Sequence, residues 1–412
     1  MAGFPPSHTR IFAFAYHGRG MFSHRTDWKL TPNRFSEVQR ELRTEGREAL
    51  DLTISNPTRA ELHYDAETIL QALANPQALD YDPQPKGLLS AREAVAGYYR
   101  ERRDEVDPES IVLIASTSEG YSYVFRLLCN AGDEILVPKP SYPLFEFLAD
   151  IQDVRLVRYQ LVYDYGWQID FHALEQAITP RTRGLIVVHP NNPTGHFCKT
   201  EEMRKLNEVC AEREIAIIAD EVFLDFGLDE KRHPTFAGNS EVLTFTMSGL
   251  SKTCGLPQMK AAWLIVDGPE PLKAQALERL EVIADTYLSM NAPIQWAMPA
   301  LLRQRQGFQE QLMWRVRANL AELDKQLAGQ ESCNRLEVEA GWNAVVRVPA
   351  TRSDEELALE LLAAKGVYLH PGHLYDFPSR GILVVSLISA ENDFSIGLRH
   401  LFPLCHLAVN GR

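Results

Sequence analysis

The sequence predicts an α/β fold: a mostly parallel seven-stranded sheet sandwiched by helices, plus a smaller α+β domain built from the N- and C-terminal segments. Three observations predict it. Seven short apolar runs rich in β-branched residues recur through the middle of the chain, and helical patterns separate most of them. After about residue 270 that alternation gives way to two long helical stretches, then to short strands around one further helix. Strands that read as near-continuous apolar runs are buried on both faces, which calls for helices on both sides of a parallel sheet.

The elements follow in order. Residues 1–29 are expected to be a tail or arm. MAGFPPSHTRIFAFAYHGRG has no clear period and ends at Met21, which reads as a natural start or as the end of a loose tail. Gly18 and Gly20 make a GxG, but residue 23 is Ser and no apolar strand leads in, so a dinucleotide fingerprint is not supported. Residues 34–48 read as an amphipathic helix. LDLTI (50–54) reads as a strand ending at Ser55-Asn56-Pro57, and a helix over 90–103 follows the turn at 83–87. The seven strands are expected at 111–116, 134–138, 155–161, 184–189, 215–220, 242–248 and 261–266, with helices at 118–129, 142–150 and 200–212 among them. Helical stretches at 270–290 and 294–329 come next. Strands are expected within 338–349, a helix over 353–365 stopped by Gly366, and further strands at VYLH and ILVVSLI. The expected division is a small domain from 30–58 and 300–412 and a large domain from 59–299.

Composition narrows the function classes. The chain has 412 residues, enough for two domains. Asp and Glu number 55 against 42 Lys and Arg, a formal net charge of −13. A surface of that sign repels phosphate backbones, so nucleic acid is not an expected partner, although a local basic pocket for a small anion stays open. The apolar run at 11–16 is far shorter than the roughly 20 residues of a membrane helix and too short for a secretion signal, so no membrane association is expected. Cys129, Cys198, Cys210, Cys254, Cys333 and Cys405 form no CxxC pair, which reads as a reduced, cytoplasmic protein with unpaired thiols.

Ligands of open α/β sheets bind beyond the carboxyl ends of the strands, so the residues following each strand are candidates. Ser116-Thr117-Ser118 follow the first strand, at a helix start whose hydroxyls and free N–H groups suit a phosphate. Pro140-Ser141-Tyr142-Pro143 follow the second and offer an aromatic face. Pro190-Asn191-Asn192-Pro193-Thr194-Gly195 follow the fourth, Asp220 ends the fifth, and Gly249-Leu250-Ser251-Lys252 follow the sixth. Singly, each has a plainer use: Ser116 and Asp220 as helix caps, Asn-Asn-Pro-Thr-Gly as a turn, Tyr142 as packing, Lys252 as a solvated loop residue. Jointly they meet the needs of pyridoxal phosphate. That cofactor takes a lysine for its Schiff base, a carboxylate for its pyridinium nitrogen, a phosphate cradle and a ring to stack on.

Here the sequence resembles the fold-type I, class I/II aminotransferases, the aspartate aminotransferase superfamily. The likeness runs from about 50 to 390 and includes YDPQPKGLLSAREAVAGYY (81–99), AGDEILVPKPSYPLF (131–145), HPNNPTG (189–195), IADEVF (218–223), SGLSKTCGLP (248–257) and GVYLHPG (366–372). The resemblance implies a pyridoxal phosphate enzyme in which Lys252 carries the Schiff base and shuttles the proton, and Asp220 pairs with the pyridinium nitrogen. It further implies that Asn192 bonds the phenolic oxygen, that Tyr142 stacks on the ring, and that Ser116, Thr117, Ser118 and Ser251 hold the phosphate. Tyr81 matches a tyrosine that reaches the neighbouring subunit's phosphate, which implies a homodimer with shared sites. The implied reaction moves an amino group from an amino acid or amine to a 2-oxo acid through a pyridoxamine phosphate intermediate.

Three departures stand out. Lys260 occupies the position of a phosphate-gripping arginine; it keeps the charge but loses the bidentate fork. Phe223 replaces a tyrosine that donates to the phenolic oxygen, which should raise the pKa of the Schiff base. Val384 occupies the position of the arginine that clamps the substrate carboxylate. Arg59, in the Ser55-Asn56-Pro57-Thr58 segment expected to line the substrate side, is the candidate replacement, with a solvated loop arginine as its plain alternative. His373 and Tyr375 are further candidates to face the substrate. Substrate contacts are thus expected from Arg59, Asn192 and Ser55, and no metal is expected. The missing arginine keeps a lyase or synthase reaction on the same cofactor as the alternative. A non-catalytic binding protein sits poorly with an intact Lys252 and Asp220, and a nicotinamide oxidoreductase with the absent glycine fingerprint.

Overall fold

The computed structural model of the chain describes residues 21–410, with 29, 32 and 289 excepted. The stretch 1–20, with its apolar run and its Gly18-x-Gly20 pair, lies outside the described residues. A two-residue strand, β1 (Leu50–Asp51), comes first. The seven expected strands follow as β2 (Ile111–Ile114), β3 (Glu134–Lys139), β4 (Arg155–Tyr163), β6 (Thr182–Val188), β7 (Ala216–Asp220), β8 (Thr244–Gly249) and β9 (Ala262–Asp267), with a short β5 (Trp167–Ile169) inserted after β4. They form one eight-stranded sheet in the order β2-β9-β8-β7-β6-β3-β4-β5. β9 and β5 run antiparallel to their neighbours, and the other pairings are parallel.

Helices cover both faces, as buried-through strands require. Val112, Ile135, Ile186, Ile218, Phe245 and Leu264 point to one face, where α4 (Thr117–Leu128), α5 (Phe145–Asp150) and α9 (Glu270–Tyr287) pack. Leu136, Leu185, Val187 and Ile217 point the other way, toward α6 (Phe171–Ala177) and α7 (Thr200–Arg213). Further along that face, Ile111, Leu113, Trp263 and Ile265 meet α3 (Leu89–Glu101) and α10 (Ala292–Arg303).

The remaining elements gather around a second sheet. β10 (Asn334–Arg335), β11 (Asn343–Arg347), β13 (His370–Pro371) and β14 (Ile382–Ser386) form it in the order β10-β11-β14-β13, all antiparallel, while β12 (Val367–Tyr368) pairs in parallel with β1. The expected VYLH strand is therefore split between two sheets. Phe35 and Leu42 of α1 (Arg34–Thr44) and Leu52 pack with residues of α11 (Arg305–Leu327), α12 (Asp354–Lys365) and α13 (Glu391–Asn410). The long helical stretch expected over 294–329 breaks at Gln304, where the buried Arg305 guanidinium turns back to the Leu302 carbonyl at 2.7 Å.

Candidate active site

The six parallel strands of the large sheet end on the same side, and their following residues build the site. Lys252 is placed by two glycines. A Cβ at Gly249 would lie 2.7 Å from the Ala262 Cβ and 3.0 Å from the Ala261 carbonyl oxygen, so only glycine lets the end of β8 hug β9. The chain then turns into the single-turn helix Leu250–Thr253, which carries Ser251 and Lys252. At Gly255 φ is +66°, and a Cβ there would strike the Phe308 ring. Lys252 Nζ donates to the Ser55 carbonyl at 3.1 Å and lies 4.6 Å from the centre of the Trp342 ring and 5.5 Å from that of Phe223. Burial disfavours its ammonium and lowers its pKa to about 8, with the Asp220 carboxylate opposing the shift.

Asp220 closes β7 and is 9% exposed. The Tyr121 hydroxyl donates to its Oδ2 at 2.9 Å and the Val222 N–H to its Oδ1 at 3.2 Å. Burial raises its pKa, opposed by those two hydrogen bonds and by Lys252. This carboxylate has no hydrogen-bonded cation among the described residues, so its site suits a protonated ring nitrogen.

Asn192 belongs to a loop locked by its own hydrogen bonds: the Gly195 N–H donates to the Asn191 carbonyl at 2.8 Å and the Thr194 hydroxyl to Asn191 Oδ1 at 2.9 Å. At Gly195 φ is +71°, and a Cβ would lie 2.6 Å from Val338 Cγ2 and just as tightly against the Ala340 carbonyl, so the loop docks closely on the segment leading into β11. That docking brings Asn343 Nδ2 within 2.8 Å of Asn192 Oδ1 and delivers Trp342 to Lys252.

Ser116 caps α4: its hydroxyl accepts from the Glu119 N–H at 3.2 Å, while the Glu119 carboxylate accepts from the Ala115 N–H at 2.6 Å. The plain reading of Ser116 therefore holds for its lone pairs, and its hydroxyl proton is left for an anion. The half-buried hydroxyls of Thr117, Ser118 and Ser251 make no hydrogen bond among the described residues. Tyr142 is 37% exposed, and burial and Asp220 raise its pKa. Its loop is tied down where the Ser141 N–H donates to the Tyr375 carbonyl at 3.0 Å.

Lys260, Tyr81 and Arg59 form no hydrogen bond or ion pair with these groups among the described residues. Lys260 is exposed, with φ +52°, and Tyr81 is 81% exposed; neither side chain has a partner among the described residues. Arg59 ends the short helix Pro57–Arg59, four residues beyond the carbonyl that Lys252 touches, and its exposed guanidinium has no partner among the described residues. Val384 is buried in β14, opposite His370 of β13. His370 Nδ1 lies 2.9 Å from the Tyr375 hydroxyl, and burial lowers its pKa to about 4, so it brings no positive charge to that position. His373 sits beside this pair in the short helix Gly372–Tyr375. Tyr121, Trp342 and Asn343 were not expected. Tyr121 lies one helical turn beyond Thr117, so a helix projection from Thr117 would have found it; Trp342 and Asn343 reach the site only through the long-range docking at Gly195.

A lysine and a buried carboxylate on adjacent strand ends, with hydroxyls at a helix start, define a site for a phosphate-bearing cofactor of the pyridoxal type, and the donor set fits it. The comparison with known proteins carries this further. Residues 47–393 match the family described as aminotransferase class I and II. The glutamate-pyruvate aminotransferase AlaA of Escherichia coli K12 is 30% identical over 351 residues, covering 82% of this chain and 85% of that protein. A crystal structure of an Escherichia coli aminotransferase superposes with TM-score 0.79 at 25% identity, covering 92% of this chain and 95% of the other. The alanine aminotransferase of Pyrococcus furiosus shares the fold with TM-score 0.83 at 23% identity, covering 90% and 96% of the two chains. The chain belongs to the class I and II aminotransferases, and its cofactor is pyridoxal phosphate. Its reaction is amino-group transfer between an amino acid and a keto acid, and nothing favours the lyase or synthase alternative.

Proposed function

We propose that this aminotransferase works on small amino acids of the alanine and glutamate type, with the matching 2-oxo acids as acceptors. The observation that carries the chemistry is Lys252: a half-buried amine with a pKa lowered to about 8, held beside the buried Asp220. The substrate class is supported by the likeness to the Escherichia coli glutamate-pyruvate enzyme. When bound, the cofactor supplies the electron sink that accepts the pair left as the substrate's Cα–H bond breaks. Lys252 takes that proton at Nζ and returns it, a role that suits an amine near half-protonated at working pH. Asp220, fixed by Tyr121 and Val222, accepts from the ring nitrogen. Asn192, steadied by Asn343, donates to the phenolic oxygen, and Tyr142 covers the ring. Ser116, Thr117, Ser118, Ser251 and Lys260 hold the phosphate, with Tyr81 contributing from a second subunit. Ser55 lines the substrate side.

Arg59 is the carboxylate clamp in this reading, supported by its exposed guanidinium, which has no partner among the described residues, and by its place four residues after Ser55. The division into a small unit (30–58 and 300–412) and a large one (59–299), a homodimeric state and a cytoplasmic location belong to the same reading. Among the described residues no helix is long and apolar enough to cross a membrane, and all six cysteines are free.

Purified chain loaded with pyridoxal phosphate should convert alanine and 2-oxoglutarate to pyruvate and glutamate, and Lys252→Ala should abolish turnover. Cofactor binding without conversion of either amino acid would reject the substrate assignment. Arg59→Ala should lower kcat/KM for alanine by about 10- to 100-fold, the loss of one charge-assisted pair, while leaving cofactor binding intact; an unchanged kcat/KM would return Arg59 to the solvent.

A further inference from the structure

Lys252 is surrounded in an unusual way for a lysine. Among the described residues its ammonium has one hydrogen-bond acceptor, the Ser55 carbonyl at 3.1 Å, and two ring faces, Trp342 at 4.6 Å and Phe223 at 5.5 Å. The two rings meet edge to face, 5.2 Å between centres at 81°, and form an aromatic corner. Phe226 also packs edge to face against Trp342, with 5.1 Å between ring centres. Trp342 is 3% exposed. Its backbone carbonyl accepts from the Leu387 N–H at 2.7 Å, and the neighbouring Gly341 N–H donates to the Phe226 carbonyl at 2.9 Å. The backbone at Trp342 is thus tied at both ends, and the indole packs against Phe223 and Phe226 with its face turned to the amine and its N–H without a partner among the described residues.

We propose that Trp342, backed by Phe223, is a positioning residue that docks the ε-ammonium of Lys252 whenever that amine is not bonded to the cofactor. The inference rests on Lys252 being the catalytic lysine, but not on the identity of the substrate. Amino-group transfer leaves Lys252 free for half of each cycle. A free four-carbon ammonium with no partner nearby would swing toward water and carry its proton away. The electron-rich ring face and the Ser55 carbonyl give it a partner inside the site, so the proton it removed stays within reach of the carbon to which it must return. Asp220 is the charged group that acts on the amine from β7, and the rings add their attraction to that carboxylate against the cost of burial. Both rings therefore favour the charged amine.

The test reads the titration of Lys252 directly. Cofactor-free full-length chain and chain loaded with pyridoxamine phosphate, in both of which Lys252 is unbonded, are labelled competitively with acetic anhydride across pH, and Lys252 modification is quantified by mass spectrometry. Trp342→Leu should lower the midpoint by about half a pH unit and speed labelling below it, while Trp342→Phe, which keeps a ring face, should stay near the parent value. Phe223→Leu, at the more distant ring, should give a smaller shift of the same sign, and it serves if Trp342→Leu does not fold. An unchanged midpoint in both leucine variants would overturn the proposal. A rise in midpoint would also overturn it, because Trp342 would then act only by excluding water. Equal lowering in Trp342→Phe and Trp342→Leu would overturn it as well, since volume rather than the ring face would be responsible. Failure of the parent chain to transaminate alanine or glutamate, with the midpoint shifts as expected, would count against the substrate reading and not against this proposal.

Discussion

Glu221, next to Asp220, is 1% exposed and is held by the Thr235 hydroxyl at 2.5 Å and the Phe236 N–H at 2.6 Å. Burial is the largest influence on it and pushes its pKa from 4.5 to about 7, with those hydrogen bonds and Arg102 opposing. An acid whose folded pKa is raised costs stability where the unfolded chain is ionised and the folded chain is not. Stability should therefore fall as pH rises from about 4.5 to 7 and level off above, with a total on the order of 3 kcal/mol. Glu221→Gln keeps an acceptor for Phe236 and a donor for Thr235, so it should be more stable than the parent at pH 8 and close to it at pH 4.5. Urea unfolding at the two pH values checks this; a difference independent of pH would be the contrary result. At this scale the sequence was informative through combinations of residues rather than through any one of them. Lys252 in a Gly/Ser turn and Asp220 at a strand end read plainly when taken singly, and only their joint, ordered occurrence on successive strand ends singled them out. Tyr121 and Trp342 were not legible, because an aromatic residue in an apolar context reads as core until its neighbours are known.

Strands were the most legible elements, because parallel strands buried on both faces leave unbroken apolar runs such as IVLIAS and GLIVVH. β5 has three residues and alternates in burial, too short a pattern to separate from a loop. β12 and β13 are adjacent in sequence yet join different sheets, a partition decided by distant strands. The loop between β6 and α7 shows what long-range contact adds. His196 is buried with its ring nitrogens 3.2 Å from Glu202 and 3.6 Å from Glu339, at ion-pair distance without hydrogen-bond alignment. Glu339 also accepts from the Phe197 N–H at 3.1 Å and pairs with Lys199. The two carboxylates raise the His196 pKa despite burial, while His196 and Lys199 draw that of Glu339 down to about 2 against the opposing effect of burial. The histidine's contribution is complete below its unfolded pKa near 6.5 and is lost as pH rises through its raised folded value. The glutamate's contribution is present above its unfolded value near 4.5 and is lost on acidification toward 2. The clasp is thus strongest between about pH 4.5 and 6.5. Glu339→Gln should destabilise by about 1–2 kcal/mol at pH 6 and by less at pH 9, where Lys199 alone has lost its partner. Thermal melts at both pH values test it, and an equal loss at each would show that His196 takes no part.

The whole molecule leaves large apolar side chains in the open: Leu79 is 90% exposed, Tyr81 81%, Leu288 66% and Tyr287 52%. Leu79 and Tyr81 lie at the end of the short helix Pro76–Leu79, beside the segment that enters α3. Large apolar groups left in the open at neighbouring chain positions favour a protein partner, and in the proposed homodimer that partner is a second copy. If Tyr81 serves the neighbouring subunit, its loss and the loss of Lys252 fall in the same site of a mixed dimer. Lys252→Ala alone should be inactive. Tyr81→Ala alone should bind the cofactor about 10-fold more weakly, since one hydrogen bond to the phosphate is missing from both sites. Denaturing and refolding the two together produces heterodimers in which one site carries both defects and the other carries neither. That second site has its lysine from the Tyr81→Ala subunit and its tyrosine from the Lys252→Ala subunit. At limiting pyridoxal phosphate, where Tyr81→Ala homodimers are mostly empty, the mixture should therefore gain activity beyond the sum of its parents. A tyrosine acting on its own subunit's site predicts no gain, because every lysine-bearing site would still lack it. A chain that sediments as a monomer at working concentration, with parental activities simply adding, would remove both the dimer and the shared site.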